Sequence, residues 1–314
     1  MTAIIVLNWN GADDTLACLE SLSKASGKFV VFVVDNGSSD DSVLRIQSWI
    51  DEHNEIDVRL VPLDKNYGFA RGNNKGLEVA RQINPDSYLL LNNDTEVSPD
   101  FLTVLYEFSS LHPQYRVLTP QINYFYDKHK VWNCGGKLRF GFRKYYYAGQ
   151  LDNVIKEKEY IPISFVTGCA LFFYPELLDS KGRLLTERFF FGEEDFEFSM
   201  RMKKRKVSMA CVLDSLIYHK VGASGDKMLR SGKVYLHFLN RFIDIRLHRS
   251  IFFYLCWCIV NTPLCLLHFY KHSHSVSEAL RLMLHLLSDV GKKKEVTRED
   301  FEALVIRNDY FKKV

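Results

Sequence analysis

The chain has 314 residues, 47% of them apolar and 25% charged, with a formal net charge of +3. That length carries one large domain or two ordinary ones, with a full hydrophobic core, and the composition excludes a disordered chain. So mild a charge argues against nucleic acid as a partner.

Ala3–Leu7 is a short apolar run with no basic segment before it, which predicts a first strand rather than a signal peptide. It runs into a polar loop, Asn8-Trp9-Asn10-Gly11, and then a helix with Leu16, Leu19 and Leu22 on one face and Asp13 or Asp14 as cap. Phe29–Val34 is a second apolar strand, and it ends in Asp35-Asn36-Gly37-Ser38-Ser39-Asp40. The helix that follows turns Val43, Ile46 and Ile50 inward. Val58–Val61 predicts a third strand. Asn66-Tyr67-Gly68-Phe69-Ala70-Arg71 then leads into a helix with Leu77 and Ala80 on its inner side.

The fourth strand, Tyr88–Leu91, is apolar at every position, as for a strand buried on both faces, and stops at Asn92-Asn93-Asp94. Ligands in open α/β sheets bind beyond the carboxyl ends of strands, so Asp94 stands where a hard cation or polar ligand would be held. The same residues also suit an ordinary turn. Strand–helix alternation predicts an α/β fold with a mostly parallel sheet, helices on both faces and right-handed crossovers. No Gly-x-Gly-x-x-Gly follows the first strand and no P-loop lysine is present, which excludes the standard dinucleotide and P-loop sites.

Pro99–Leu111 predicts a helix. Residues 120–165 are aromatic and irregular, with Trp132 either packing or facing a sugar. Phe165–Phe173 reads as a buried strand kinked at Gly168-Cys169, where a glycine admits a ligand or marks a bulge. Glu193-Glu194-Asp195 opens a helix. Acids belong in a first turn, but three in succession raise at least one pKa by repulsion, which suits a general base. Arg201 should pair with Glu197. Val207–Leu213 predicts a strand, with His219 after it as a structural or metal-binding histidine.

The last hundred residues are helical. Ile251–Tyr270 is long enough to span a bilayer, yet Asn261-Thr262-Pro263 interrupts it and many basic residues follow. A segment lying on the cytoplasmic leaflet fits better than a span, and a buried hairpin or dimer interface is the other reading. The seven cysteines are scattered without a Cys-x-x-Cys, which predicts reduced thiols in the cytosol rather than disulfides or a zinc site.

Seven ordered motifs over residues 1–225 (VLNWNG, VVDNGSSD, NYGFARGNN, LLLNNDTEV, VTGCALFF, FFGEEDFEFSMR, IYHKVGAS) resemble an inverting family 2 glycosyltransferase with the GT-A fold, in a rhamnosyltransferase-like branch of bacterial surface polysaccharide assembly. The resemblance implies a glycosyltransferase domain at 1–225, with a nucleotide-sugar half at 1–98 and an acceptor half at 99–225, and a helical extension at 226–314. It implies that Asp35 reads the pyrimidine, with Asn8, Asn10 and Asn36 beside it, and that Asn66, Gly68 and Arg71 flank the nucleotide. Asn92 and Asn93 contact the donor, while Asp94 and His219 hold Mg²⁺ or Mn²⁺. Asp195 is the implied base. Glu194 meets the acceptor, and Trp132, Gly168 and Cys169 line its site. The expected partners are a dTDP- or UDP-sugar and a saccharide or polyprenyl-linked saccharide, on the inner face of the plasma membrane. A sugar nucleotidyltransferase would carry a Gly-rich basic loop after the first strand, which is absent. A non-catalytic nucleotide-sugar scaffold would not need Glu194 and Asp195.

Overall fold

In the computed structural model, which describes residues 1–155, 158–221 and 230–306, the first half of the chain is a run of strand–helix units. Strand β1 (Thr2–Asn8) is followed by α1 (Ala12–Ser23), β2 (Phe29–Asp35), α2 (Ser42–Glu52), β3 (Asp57–Pro62), α3 (Phe69–Ala80) and β4 (Ser87–Asn92). β1 pairs in parallel with both β2 and β4, and β2 with β3. Ala3 and Ile5 enter one core and Ile4 and Val6 the other, and all four are fully buried. Tyr88 and Leu90 divide from Leu89 and Leu91 in the same way. Both faces of these strands are covered, which is why they read as unbroken apolar runs.

The second half adds β5 (Thr95–Val97), α4 (Phe101–Leu111), β6 (Tyr115–Tyr124), β7 (Val131–Asn133), β8 (Gly136–Arg139), β9 (Phe142–Tyr145), β10 (Tyr160–Ile163), β11 (Ala170–Phe173), α5 (Glu194–Lys204) and β12 (Ser208–His219). The large sheet has the order β10-β12-β6-β11-β4-β1-β2-β3, with β5 on β12 and β7 on β6. β11 runs antiparallel between β4 and β6, so the sheet is mixed around a parallel half. The α/β architecture with helices over the sheet is the expected one.

Three local expectations are corrected. α1 starts at a Gly11 cap, and Asp13 and Asp14 lie inside its first turn, where the helix dipole favours them. The run 165–173 becomes strand only at Ala170. At Gly168 a Cβ would stand 3.3 Å from the Phe69 ring, so glycine there lets the two segments close up. β12 does not stop at Leu213 but continues past a bulge between Val212 and Leu216 to end on His219. All seven cysteines are free.

The C-terminal part holds α6 (Arg230–His248), α7 (Ile251–Ser273), α8 (Val276–Lys292), α9 (Arg298–Phe301) and a helical turn at Glu302–Ile306. The expected boundary at 225/226 falls among residues 222–229, outside the described residues. These helices share a third core with Phe189, Phe196 and Met200, from α5 and the loop before it. α7 is continuous through Pro263, where a break was expected. Pro263 faces outward beside the exposed Ile259, so the backbone hydrogen bond it deletes is missing on the open side and not in the core.

Candidate active site

Parallel register aligns the ends of three strands. Asn8 pairs with Asp35, and Leu7 with Asn92, so the loops after β1, β2 and β4 open on one edge. A cleft of about 480 Å³ lies there. Its lining includes Asn36, Asn66, Gly68, Asn92, Asn93 and Asp94 from the first half, then Trp132, Gly168, Cys169, Glu194, Asp195 and His219 from the second. Twelve of the sixteen expected site residues thus meet in one place.

Asp94 and His219 are distant in sequence and are joined by strand pairing. β5 runs antiparallel to the end of β12, which sets Thr95 opposite His219, and Lys220 N–H donates to the Asp94 carbonyl at 2.9 Å. The His219 Nε2 then lies 3.1 Å from Asp94 Oδ1. Both side chains are largely buried, and Trp132 packs edge-on against the imidazole at 4.5 Å between ring centroids. Burial works against a charged His219, yet Cys169 and Asp94 beside it raise its pKa from 6.5 to about 10.

Asp94 Oδ1 and His219 Nδ1 are buried atoms without a hydrogen-bond partner. Once the proton between His219 Nε2 and Asp94 Oδ1 is displaced, this carboxylate and imidazole would suit a divalent cation, the O,N donor pair being acceptable to Mn²⁺ and the carboxylate to Mg²⁺. Among the described residues no group of three His, Cys, Asp or Glu is placed to hold a metal, so a cation here would take its other ligands from water or a substrate phosphate.

The loop that leads into α5 is held from α6. Glu193 has φ +70°, a conformation unfavourable for a residue with a Cβ. Its carboxylate is buried and meets Arg241 Nε at 2.5 Å, His237 Nδ1 at 2.8 Å and Arg143 at 3.5 Å. Burial alone would raise its pKa, but Arg241 foremost, with the His237 hydrogen bond and Arg143, holds the carboxyl well below the usual carboxylate range. Asn240 Nδ2 donates to the carbonyls of Phe191 and Gly192 at 3.0 and 3.1 Å. The strained turn is therefore pinned by α6, and Glu194 and Asp195 follow it in the first turn of α5.

Burial raises the Asp195 pKa, and Arg143, 3.6 Å away, opposes the rise. Burial and the neighbouring Asp195 carry Glu194 from 4.5 to about 8, and its Oε2 has no partner. Of the two, Glu194 is therefore the group that keeps its proton at neutral pH and can donate it in a hydrogen bond.

Four expected contacts sit elsewhere. Asp35 is buried behind the cleft and accepts from Asn8 Nδ2 at 2.7 Å, Ser38 N–H at 2.9 Å and Ser38 Oγ at 2.6 Å. Two of these bonds fall on Oδ2 and one on Oδ1, so Asp35 keeps acceptor capacity only at Oδ1 and a base would have to reach that buried atom. Asn8 is wholly buried and also accepts from Thr15, while Asn10 braces the loop by bonding Ser38 and Ser39. Arg71 pairs with Glu187 at 3.1 Å and lines a neighbouring cavity of about 650 Å³. Arg143, Asn240 and Arg241 were not legible as site residues, because nothing local in their sequence marks a partner some fifty positions away.

The sequence matches the description "Glycosyl transferase family 2" over residues 3–173, more than half of the chain. The chain belongs to glycosyl transferase family 2. It is 26% identical over 247 residues to the low-salt glycan biosynthesis hexosyltransferase Agl10 of Haloferax volcanii, across 77% of this chain and 74% of that protein. Its fold resembles the mannosyltransferase PcManGT of Pyrobaculum calidifontis, solved with GDP-Man and Mn2+, with TM-score 0.57 and 16% identity, covering 92% of this chain and 74% of the other. It also resembles S. aureus TarS 1–349 solved with UDP-GlcNAc, with TM-score 0.56 and 16% identity over 96% and 83%. The family match ends at Phe173, so α5 with Glu194 and Asp195, β12 with His219, and the C-terminal helices lie beyond it.

Proposed function

We propose that this family 2 enzyme is a metal-dependent, inverting hexosyltransferase that moves a sugar from a nucleotide-sugar donor to a saccharide or lipid-linked saccharide. The observation that carries the reading is the meeting, in one cleft, of a carboxylate–imidazole pair (Asp94, His219) with a second acidic pair (Glu194, Asp195). Bound between Asp94 and His219, Mg²⁺ or Mn²⁺ would neutralise charge on the donor's diphosphate. Asn92, Asn93 and Asn66 offer amides to the nucleotide, and the backbone comes close at Gly68. There φ is +82°, and a Cβ would stand 2.2 Å from the Phe190 carbonyl oxygen. Protonated Glu194 holds the acceptor. Asp195 takes the proton of the acceptor hydroxyl as that oxygen attacks the anomeric carbon, the bond from that carbon to the diphosphate breaks, and the nucleoside diphosphate leaves. One displacement inverts the configuration. UDP- and dTDP-hexoses, dTDP-rhamnose included, are the donors to try first.

Melting curves with UDP, dTDP, GDP and CDP, with and without Mn²⁺, test this reading. Ligand at about a hundred times its dissociation constant adds about 2.7 kcal/mol. A Mn²⁺-dependent rise with one nucleotide is expected, absent in Asp94→Asn. No rise with any of the four, or a rise indifferent to Asp94→Asn, counts against it. Failure to form product from a donor that binds would favour a scaffold.

We further propose that the protein works on the cytoplasmic membrane surface. α7 is 23 residues long, its most apolar 18-residue window has a mean hydropathy of 1.7, and only 17% of that window is buried. Trp257, Cys265 and Phe269 pack inward, while Phe252 and Ile259 are about three-quarters exposed at 76% and 75%, with Leu284 of α8 at 70%. One row is committed to the core and the rest is open and apolar, which favours a helix lying on a membrane over one crossing it. Each such side chain is worth about 1.5–3 kcal/mol on burial, so Ile259→Asp with Leu284→Asp should cut co-sedimentation with anionic vesicles at least tenfold. Wild type that stays in the supernatant would refute the assignment.

A further inference from the structure

The donor cleft has a wall from the far end of the chain. Val296 pairs with Phe189 as a parallel bridge, with Phe190 N–H donating to Val296 O at 2.9 Å and Val296 N–H to Arg188 O at 2.8 Å. Phe301 packs on Phe190 and Phe191 at 5.1 and 5.6 Å. This stitching lays α9 and the turn after it along the cleft, where Arg298, Phe301, Glu302 and Ile306 join the lining. None of these residues falls within the family match.

The charge balance of the cleft singles out Arg298. Four carboxyl groups line it, those of Asp94, Glu194, Asp195 and Glu302. Among the described lining residues, Arg298 is the one Lys or Arg. A nucleotide sugar brings two negative charges on its diphosphate into this cleft, where Arg143 already faces Asp195 and a cation at Asp94 and His219 would meet Asp94, so the diphosphate calls for a positive group of its own. The Arg298 Nε holds Glu302 at 2.7 Å and its Nη1 reaches the Asn66 carbonyl at 3.5 Å, contacts that tether the guanidinium beside a residue of the cleft lining and among the described residues leave Nη2 without a contact. A planar fork so placed matches phosphate oxygens in geometry as well as charge.

We infer that Arg298 binds the diphosphate of the donor, so that the C-terminal segment 296–306 completes the donor site. This rests on the nucleotide-sugar reading and adds a ligand-binding residue to it. The contact is charge-assisted, so its loss costs about 10- to 100-fold in affinity.

The test is calorimetric titration of wild type, Arg298→Gln and Arg298→Lys with UDP, dTDP, inorganic pyrophosphate and uridine, each with Mn²⁺. Arg298→Gln should weaken the preferred diphosphate and pyrophosphate at least tenfold and leave uridine unchanged, with Arg298→Lys in between. Equal affinities in wild type and Arg298→Gln overturn the inference and leave the glycosyltransferase reading intact. Equal losses for uridine and UDP also overturn it, since the residue then only shapes the wall. Wild type that binds pyrophosphate through Arg298 but no nucleotide defeats the donor reading and keeps the phosphate contact. Wild type that binds none of the four defeats both.

Discussion

Asp195→Asn is expected to lower turnover by about 10²–10⁴-fold, the range for losing a general base, while nucleoside diphosphate binding is retained. The amide is isosteric, so packing at the start of α5 is kept and only proton acceptance is lost. A general base works unprotonated, and burial raises the Asp195 pKa, so on the proposed role kcat/KM should rise with pH across its titration. Arg143, 3.6 Å away, pulls the other way. Arg143→Gln should therefore move that acid limb to higher pH, and Asp195→Asn should abolish it. The measurement is a pH–rate profile of the three proteins alongside a binding isotherm. Loss of nucleotide binding in Asp195→Asn would make the residue structural, and an acid limb that survives the substitution would assign the base elsewhere.

The second large effect lies outside the cleft. Arg241→Ala leaves Glu193 buried without its best partner, and breaking a buried pair costs about 3–5 kcal/mol. His237 and Arg143 still face Glu193, so the lower end of that range is expected, on the order of 5 °C in melting temperature. Glu193 is held below its unfolded value of 4.5, so the pair stabilises above that value and the stabilisation is lost as pH falls toward the folded one. The gap between Arg241→Ala and wild type should narrow in the same direction. Turnover should fall too, because the αL turn at Glu193 sets where Glu194 and Asp195 begin α5. Arg241→Met with Glu193→Gln separates the two effects, since replacing both partners restores stability without restoring the geometry of the turn. Unchanged melting of Arg241→Ala would show that α6 does not hold the loop before α5.

The sequence by itself determined what local chemistry can determine. Apolar runs broken by Asn8, Asp35 and Asn92 marked the sheet and its working edge, because a strand covered on both faces has no room for polar side chains before its end. The acids at 194 and 195 announced themselves by consecutive charge at a helix start. Length and hydropathy alone flagged residues 251–270 as a segment unlike the rest. Tertiary structure decided everything that depends on non-local pairing. The register of β5 on β12 set His219 against Asp94, and backbone bridging brought Arg298 to the cleft. Two arginines and a histidine from two distant segments converged on Glu193. Asp35 and Arg71 show the converse, since their motif positions were legible while their engagement by Ser38 and Glu187 was not. A motif records which side chains a stretch can offer. Which of them face the same solvent-filled space is set by crossovers and by helices packed from elsewhere in the chain, and no local pattern encodes those.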